Sequence, residues 1–166
     1  DRDAESENQI LGVCNTITKY GGELYLQEDF FSSLSNQIRK KLESRINLVN
    51  LLPSADIVVS VGGDGTFLRT SSIVGDSGIP VLGINTGRLG FLAAINYTDI
   101  DQTLSEIIKG DYIVEERLLL KMTTDETNPP KYFNSNALNE VAVLKQDTAS
   151  MLTIHARSEE RRVGKE

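Results

Sequence analysis

Histidine and cysteine are almost absent from this sequence of 166 residues, in which each occurs once, as His155 and Cys14. A single cysteine excludes an internal disulfide and a thiolate metal cluster. A single histidine excludes a zinc site built from several histidines and leaves little basis for a histidine-based catalytic triad. We therefore predict no metal-binding residues in the chain.

Long apolar runs and an excess of basic residues are also missing. No apolar stretch reaches the roughly 18 residues that a membrane-spanning helix needs, and 17 basic against 24 acidic residues leave a net charge of −7. Because such a surface repels nucleic-acid phosphates and anionic lipids, we predict neither nucleic acid nor membrane as a partner. The first residues do not have the basic and apolar pattern of a signal peptide, and we expect a cytoplasmic protein.

The composition that remains, 39% hydrophobic and 25% charged, is typical of a globular protein. Helical and buried-strand patterns alternate over residues 1–108, which predicts an α/β domain with a parallel, doubly wound (Rossmann-like) sheet. Residues 112–156 alternate apolar and polar side chains, which predicts the incomplete start of an antiparallel β domain. We interpret residues 157–166 as a tail, either a solvated segment or a scar. The predicted helices are 8–20, 31–42, 67–73 and 100–108, and the predicted strands are 23–26, 57–61, 80–84, 112–124, 137–144 and 151–156.

A glycine-rich loop lies between the predicted strand at 57–61 and the helix that follows it. Its glycines allow the backbone to approach a ligand closely, and free amides at the start of the helix can hold an anion. No lysine follows the glycines, so this is not a Walker A loop. Asp64, which lies between the glycines, has two interpretations: it caps the helix, or it accepts a proton from a hydroxyl that attacks a phosphoryl group.

Three segments in consistent order resemble the NAD kinase family, and its bacterial members most closely. Residues 61–68 contain the GGDGT sequence, which diacylglycerol-type lipid kinases share and to which 6-phosphofructokinases have a related loop. Residues 80–92 resemble the second NAD kinase motif, and the Asn-Glu pair within 137–143 resembles the third. The resemblance extends over residues from about 9 to 156.

This resemblance implies a function in which NAD is phosphorylated to NADP, with ATP as the phosphoryl donor and a divalent metal ion, expected to be Mg²⁺, as cofactor. On the matching positions, Asp64 would accept the proton of the adenosine ribose 2′-hydroxyl as that oxygen attacks the γ-phosphate. The resemblance assigns nucleotide binding to Gly62, Gly63, Gly65, Thr66, Arg69, Phe91, Asn139 and Glu140.

Three of these assignments leave structural questions open. Phe91 matches an aromatic residue that lies against adenine, but a phenylalanine considered alone is also typical of a hydrophobic core. Asn139 and Glu140 match the pair on the ribose and adenine side of NAD. Because adjacent side chains of a strand point to opposite faces, we expect the strand to begin at this pair or to contain a bulge there.

The family carries further motifs in its second domain that do not occur in this sequence. We therefore expect the 166-residue chain to be inactive by itself, and the full-length protein to be a homo-oligomer that binds small-molecule nucleotides. Two alternatives are a diacylglycerol-type lipid kinase with the same loop and a binding-only remnant without the chemistry. The sequence of residues 85–92 argues against the first alternative, and the intact Asp64 argues against the second.

Overall fold

The computed structural model describes residues 2–87, 90–123 and 136–142, together with 151, 153 and 155. The α-helices are α1 (Arg2–Lys19), α2 (Glu28–Ser33), α3 (Asn36–Leu42), α4 (Asp64–Val74) and α5 (Ile100–Lys109), and a 3₁₀ helix covers Tyr97–Asp99. The strands are β1 (Leu24–Gln27), β2 (Ile46–Val49), β3 (Val58–Val61), β4 (Val81–Asn85), β5 (Ile95–Asn96), β6 (Leu120–Lys121) and β7 (Asn136–Ala137).

The strands pair in three groups. β1 and β2 are parallel, β3, β4 and β5 form a parallel three-stranded sheet in that order, and β6 and β7 are antiparallel. This arrangement confirms the predicted fold class, an α/β region with parallel strands followed by a separate antiparallel pair. Within the described residues, no helix combines the length and the apolar character needed to cross a bilayer.

The hydrophobic core consists of two clusters that share helix α1. The first cluster joins α1 to β1 and α3, with Cys14, Leu24, Ile38 and Leu42 all buried. The second joins α1 to β4 and α5 around Val13. Because Val13 and Cys14 are adjacent, the same turn of α1 packs against both groups of parallel strands, β1–β2 and β3–β4–β5.

Several predicted elements differ from the observed ones. The predicted helix at 31–42 is two helices, since Leu34 and Ser35 adopt extended backbone between α2 and α3. Strands β2 and β5 were not predicted. Of the alternating segment 112–124, the structure describes residues 112–123, and within these only Leu120–Lys121 form a strand. The predicted strand at 137–144 begins one residue earlier, in β7, and ends at Ala137. Residues 124–135, 143–150, 152, 154 and 156–166 lie outside the described residues, so the strand at 151–156 and the domain boundaries remain predictions.

Candidate functional site

The glycine-rich loop connects β3 to α4, as the sequence predicts. The Gly62 amide donates to the Ile84 carbonyl oxygen at 2.9 Å, which ties the start of the loop to strand β4. Gly62 has a φ of 152°, and a Cβ at this position would lie 2.5 Å from Thr66 Oγ1. Both the backbone conformation and the close approach of Thr66 therefore require glycine at residue 62.

The other two glycines of the loop have no such requirement. A Cβ placed on Gly63 or Gly65 would meet no atom within 4 Å, and neither residue has a positive φ. Both residues are exposed at the start of α4. Within the described residues, nothing in the packing explains why they are glycines, and their uncovered backbone is open to a ligand.

Asp64 is the first residue of α4, and its carboxylate is bound by three successive backbone amides. Phe91 N–H donates to Oδ2 at 2.8 Å, while Leu92 N–H and Ala93 N–H donate to Oδ1 at 3.0 and 3.1 Å. These hydrogen bonds, led by the Phe91 amide, lower the pKa of the Asp64 carboxyl below its ordinary value. Asp64 is therefore an ionised carboxylate at neutral pH.

The Asp64 carboxylate also determines where Phe91 lies. The backbone of Phe91 is held against Asp64, yet its side chain is 97% exposed. Two residues later, Ala93 is 1% exposed beneath the same segment. Phe91 is thus not a core residue, and its ring is exposed to solvent.

A cleft of about 260 Å³ lies along α4 and contains three of the predicted site residues. Helix α4 contributes Leu68, Arg69 and Ser72, and residues 136–140 form the opposite side. Ser72 Oγ donates to the Asn136 carbonyl oxygen at 3.0 Å, which fixes the two sides to each other. The cleft brings Arg69, Asn139 and Glu140 together.

The expected conflict between Asn139 and Glu140 does not arise in this structure. Strand β7 ends at Ala137, so both residues follow the strand and are not bound by its alternation. The expected start of a strand or bulge at this pair was therefore wrong, and both side chains line one cleft because the chain has already left the sheet.

Some residues of the site were not found from the sequence. Leu68 and Ser72 lie four and eight positions after Asp64, on the same side of α4, and helical spacing could have indicated them. The amides of residues 91–93 give no such signal because every residue type except proline carries one.

A divalent metal ion needs several ligands, supplied by side chains, water or substrate phosphates. No three of the histidine, cysteine and carboxylate side chains in the described ranges come together in a way that could hold one. The Asp64 carboxylate is already bonded to three amides. The described residues therefore contain no preformed protein cluster for Mg²⁺, an ion that is usually bound by one or two carboxylates together with substrate phosphates.

Comparison with known proteins agrees with the family resemblance and with the fold. A family profile described as the ATP-NAD kinase N-terminal domain matches residues 16–112, and the chain therefore belongs to the NAD kinase family. Among similar proteins, the NAD kinase of Bacteroides fragilis is 39% identical over 153 residues, which are 91% of this chain and 51% of that protein. The NAD kinase of Porphyromonas gingivalis is 40% identical over 154 residues, covering 92% and 52%.

The chain thus spans about half the length of these curated relatives. A similar solved structure is yeast NADH kinase complexed with NADH, with a TM-score of 0.52 and 20% identity over 79% of this chain and 41% of that one. At this identity the likeness concerns the fold alone. Both bacterial relatives are NAD kinases, so they give no support to the alternative of a diacylglycerol-type lipid kinase.

Proposed function

We propose that this chain is the part of an enzyme that contains the catalytic loop, and that the enzyme phosphorylates NAD to NADP with ATP as the donor. The observation that carries the proposal is the ionised Asp64 carboxylate beside the uncovered backbone of Gly63 and Gly65. Family membership supports the same reaction. The lipid-kinase alternative and the binding-only remnant are not favoured by any particular contact in the described residues.

In the proposed reaction, Asp64 accepts the proton of the adenosine ribose 2′-hydroxyl. The hydroxyl oxygen forms a bond to the γ-phosphorus of ATP, the bond from that phosphorus to the β,γ-bridging oxygen breaks, and ADP leaves. Because three amides stabilise the charged carboxylate, Asp64 becomes a better base as those hydrogen bonds weaken.

The remaining predicted residues are given the roles that the resemblance to the NAD kinase family implies. Gly62, Gly63, Gly65 and Thr66 form the loop at which backbone amides would meet nucleotide phosphates. The exposed ring of Phe91 offers a flat apolar surface for adenine. Arg69, Asn139 and Glu140, which share the cleft, would bind the nucleotide, with Glu140 accepting from ribose hydroxyls.

We propose further that the 166-residue chain does not catalyse the reaction by itself. Asn139 and Glu140 are exposed, and the cleft that they line is open to solvent. Two apolar residues between α5 and β6, Ile113 and Leu118, are 97% and 95% exposed. Such exposure indicates a surface that further protein would cover. We expect the complete gene product to be a cytoplasmic homo-oligomer, and sedimentation analysis checks its oligomeric state.

Replacing Asp64 by asparagine tests the proposed role in proton transfer. In the complete gene product, Asp64→Asn should lower kcat about 10²–10⁴-fold, which is the usual loss when a general base is removed. The assay measures NADP formed from NAD and ATP, with and without added Mg²⁺, so the predicted metal requirement is checked in the same experiment.

The matched control is Asp76→Asn, an exposed aspartate just beyond the other end of α4. It should leave kcat within about twofold of the parent, as expected for a surface substitution. If the Asp64→Asn enzyme turns over within about threefold of the parent, Asp64 is not the base. If the parent makes no NADP under any condition, the proposed reaction is wrong.

A further inference from the structure

The Asp64 carboxylate occupies the space in which a side chain at residue 90 would lie. A Cβ built on Gly90 would be 2.5 Å from Asp64 Cγ and 2.6 Å from Oδ2, which is closer than real Cβ atoms approach other heavy atoms. Any larger residue at this position would therefore have to displace the carboxylate or move the backbone.

Backbone conformation does not explain why residue 90 is glycine. Gly90 is not among the glycines with a positive φ, so alanine could adopt its backbone conformation without that penalty. The three atoms nearest to the added Cβ all belong to the Asp64 carboxyl group. The requirement for glycine therefore comes from Asp64, which lies 26 positions earlier in the chain.

The position of the carboxylate controls the segment that follows Gly90. From the space beside Gly90, Oδ1 and Oδ2 reach the amides of residues 91, 92 and 93 in succession. At the far end of the segment Ala93 is buried, and its Cα lies 2.9 Å from where a Cβ on Gly83 would be. Asp64 thus holds all three residues of the segment through their amides, packing on β4 also holds Ala93, and the Phe91 side chain is exposed.

We propose that Gly90 is a positioning residue for Asp64. Its missing side chain allows the carboxylate to bind the amides of residues 91–93, and this contact fixes both the carboxylate and the exposed Phe91 side chain. The structural part of the inference is independent of the reaction, and only its kinetic consequence rests on the proposed function.

The structural part is tested by NMR on the 166-residue chain with Gly90→Ala and a matched control, Gly87→Ala. Gly87 lies three positions before Gly90, is exposed, and has no atom within 4 Å of an added Cβ. In Gly90→Ala, the amides of residues 91–93 should exchange with solvent roughly tenfold faster or more, because each loses a bond to a charged acceptor. The pKa of the Asp64 carboxyl should rise toward its ordinary value, whereas Gly87→Ala should change neither quantity.

A double variant separates displacement of the carboxylate from general disruption of the fold. Gly90→Ala should lower the urea midpoint of the parent chain but leave that of an Asp64→Ala chain unchanged, since the clashing group is then absent. This comparison remains informative if Gly90→Ala alone fails to fold. Equal losses in the two backgrounds, or unchanged exchange at residues 91–93, would overturn the proposal.

The kinetic consequence is measured on the complete gene product. Gly90→Ala should lower kcat by about tenfold or more and raise KM for NAD, because the base and the Phe91 side chain are displaced together. Asp76→Asn, an exposed substitution outside the three motifs, should leave both constants within about twofold of the parent. An inactive parent would refute the proposed function while the NMR result stood, and an active Gly90→Ala enzyme with unchanged constants would refute the positioning role alone.

Discussion

Replacing Gly83 by alanine would place a methyl group between strand β4 and the two elements that carry the candidate site. Gly83 is buried in β4, where it pairs with Ser60 of β3. Its added Cβ would lie 2.8 Å from Cδ2 of Phe67, on α4, and 2.9 Å from the Cα of Ala93. The ring of Phe67 can turn aside, but the Cα of Ala93 moves only with its backbone.

The expected loss of stability follows from this overpacking. Forcing a methylene into a well-packed core costs about 1–3 kcal/mol. Movement of Ala93 is opposed by the pairing of Ile84 with Ile95, two residues further along. For a chain of this size each kcal/mol lowers Tm by roughly 2–4 °C, so Gly83→Ala should lower Tm by about 2–12 °C.

Thermal unfolding followed by circular dichroism measures this change, with Gly87→Ala as the matched control. Because an added Cβ on Gly87 meets no atom within 4 Å, its free energy of unfolding should change by less than about 0.5 kcal/mol. A Tm for Gly83→Ala within about 1 °C of the parent would show that α4 and the segment at 90–93 do not pack on β4 as described.

Two further predictions concern ionisable side chains. Burial raises the pKa of the Cys14 thiol, so its alkylation at about pH 8 should be slow in the folded chain and fast in urea. Rapid alkylation without denaturant would contradict the packing of α1. The hydrogen bonds from residues 91–93 lower the pKa of Asp64 in the folded chain. They therefore stabilise the fold fully above the ordinary pKa of about 3.9, and this stabilisation is lost as the pH falls through the lower folded-state pKa. The amide resonances of residues 91–93 should therefore stay constant between about pH 7 and 5 and shift together only below about 4, whereas a midpoint above about 5 would refute this assignment.

The elements that the sequence predicted well are those whose own residues determine them. Strands β3 and β4 are β-branched and apolar runs bounded by turn residues, and α5 has a regular apolar spacing that ends at Gly110, whose φ is 77°. Strands β2 and β5 are short and exist because a neighbouring strand pairs with them. Residues 112–119 have the alternation of a strand, but in the described structure they are largely exposed and make no strand pairing, so the pattern alone does not produce a sheet.

In the candidate site, too, the features set by neighbouring residues could be predicted, and those set by residues distant in the chain could not. The GGDGT sequence located the loop and identified Asp64, because the glycines and the helix start lie within a few residues of each other. The partners of Asp64 are backbone amides 27 to 29 positions later, and backbone amides have no residue type by which a sequence could be searched. The contact requires glycine at residue 90, but this requirement can be recognised only when the carboxylate is known to fill the space beside that residue. A motif therefore indicates which side chain is chemically important, while the group that holds this side chain becomes evident only from the folded structure.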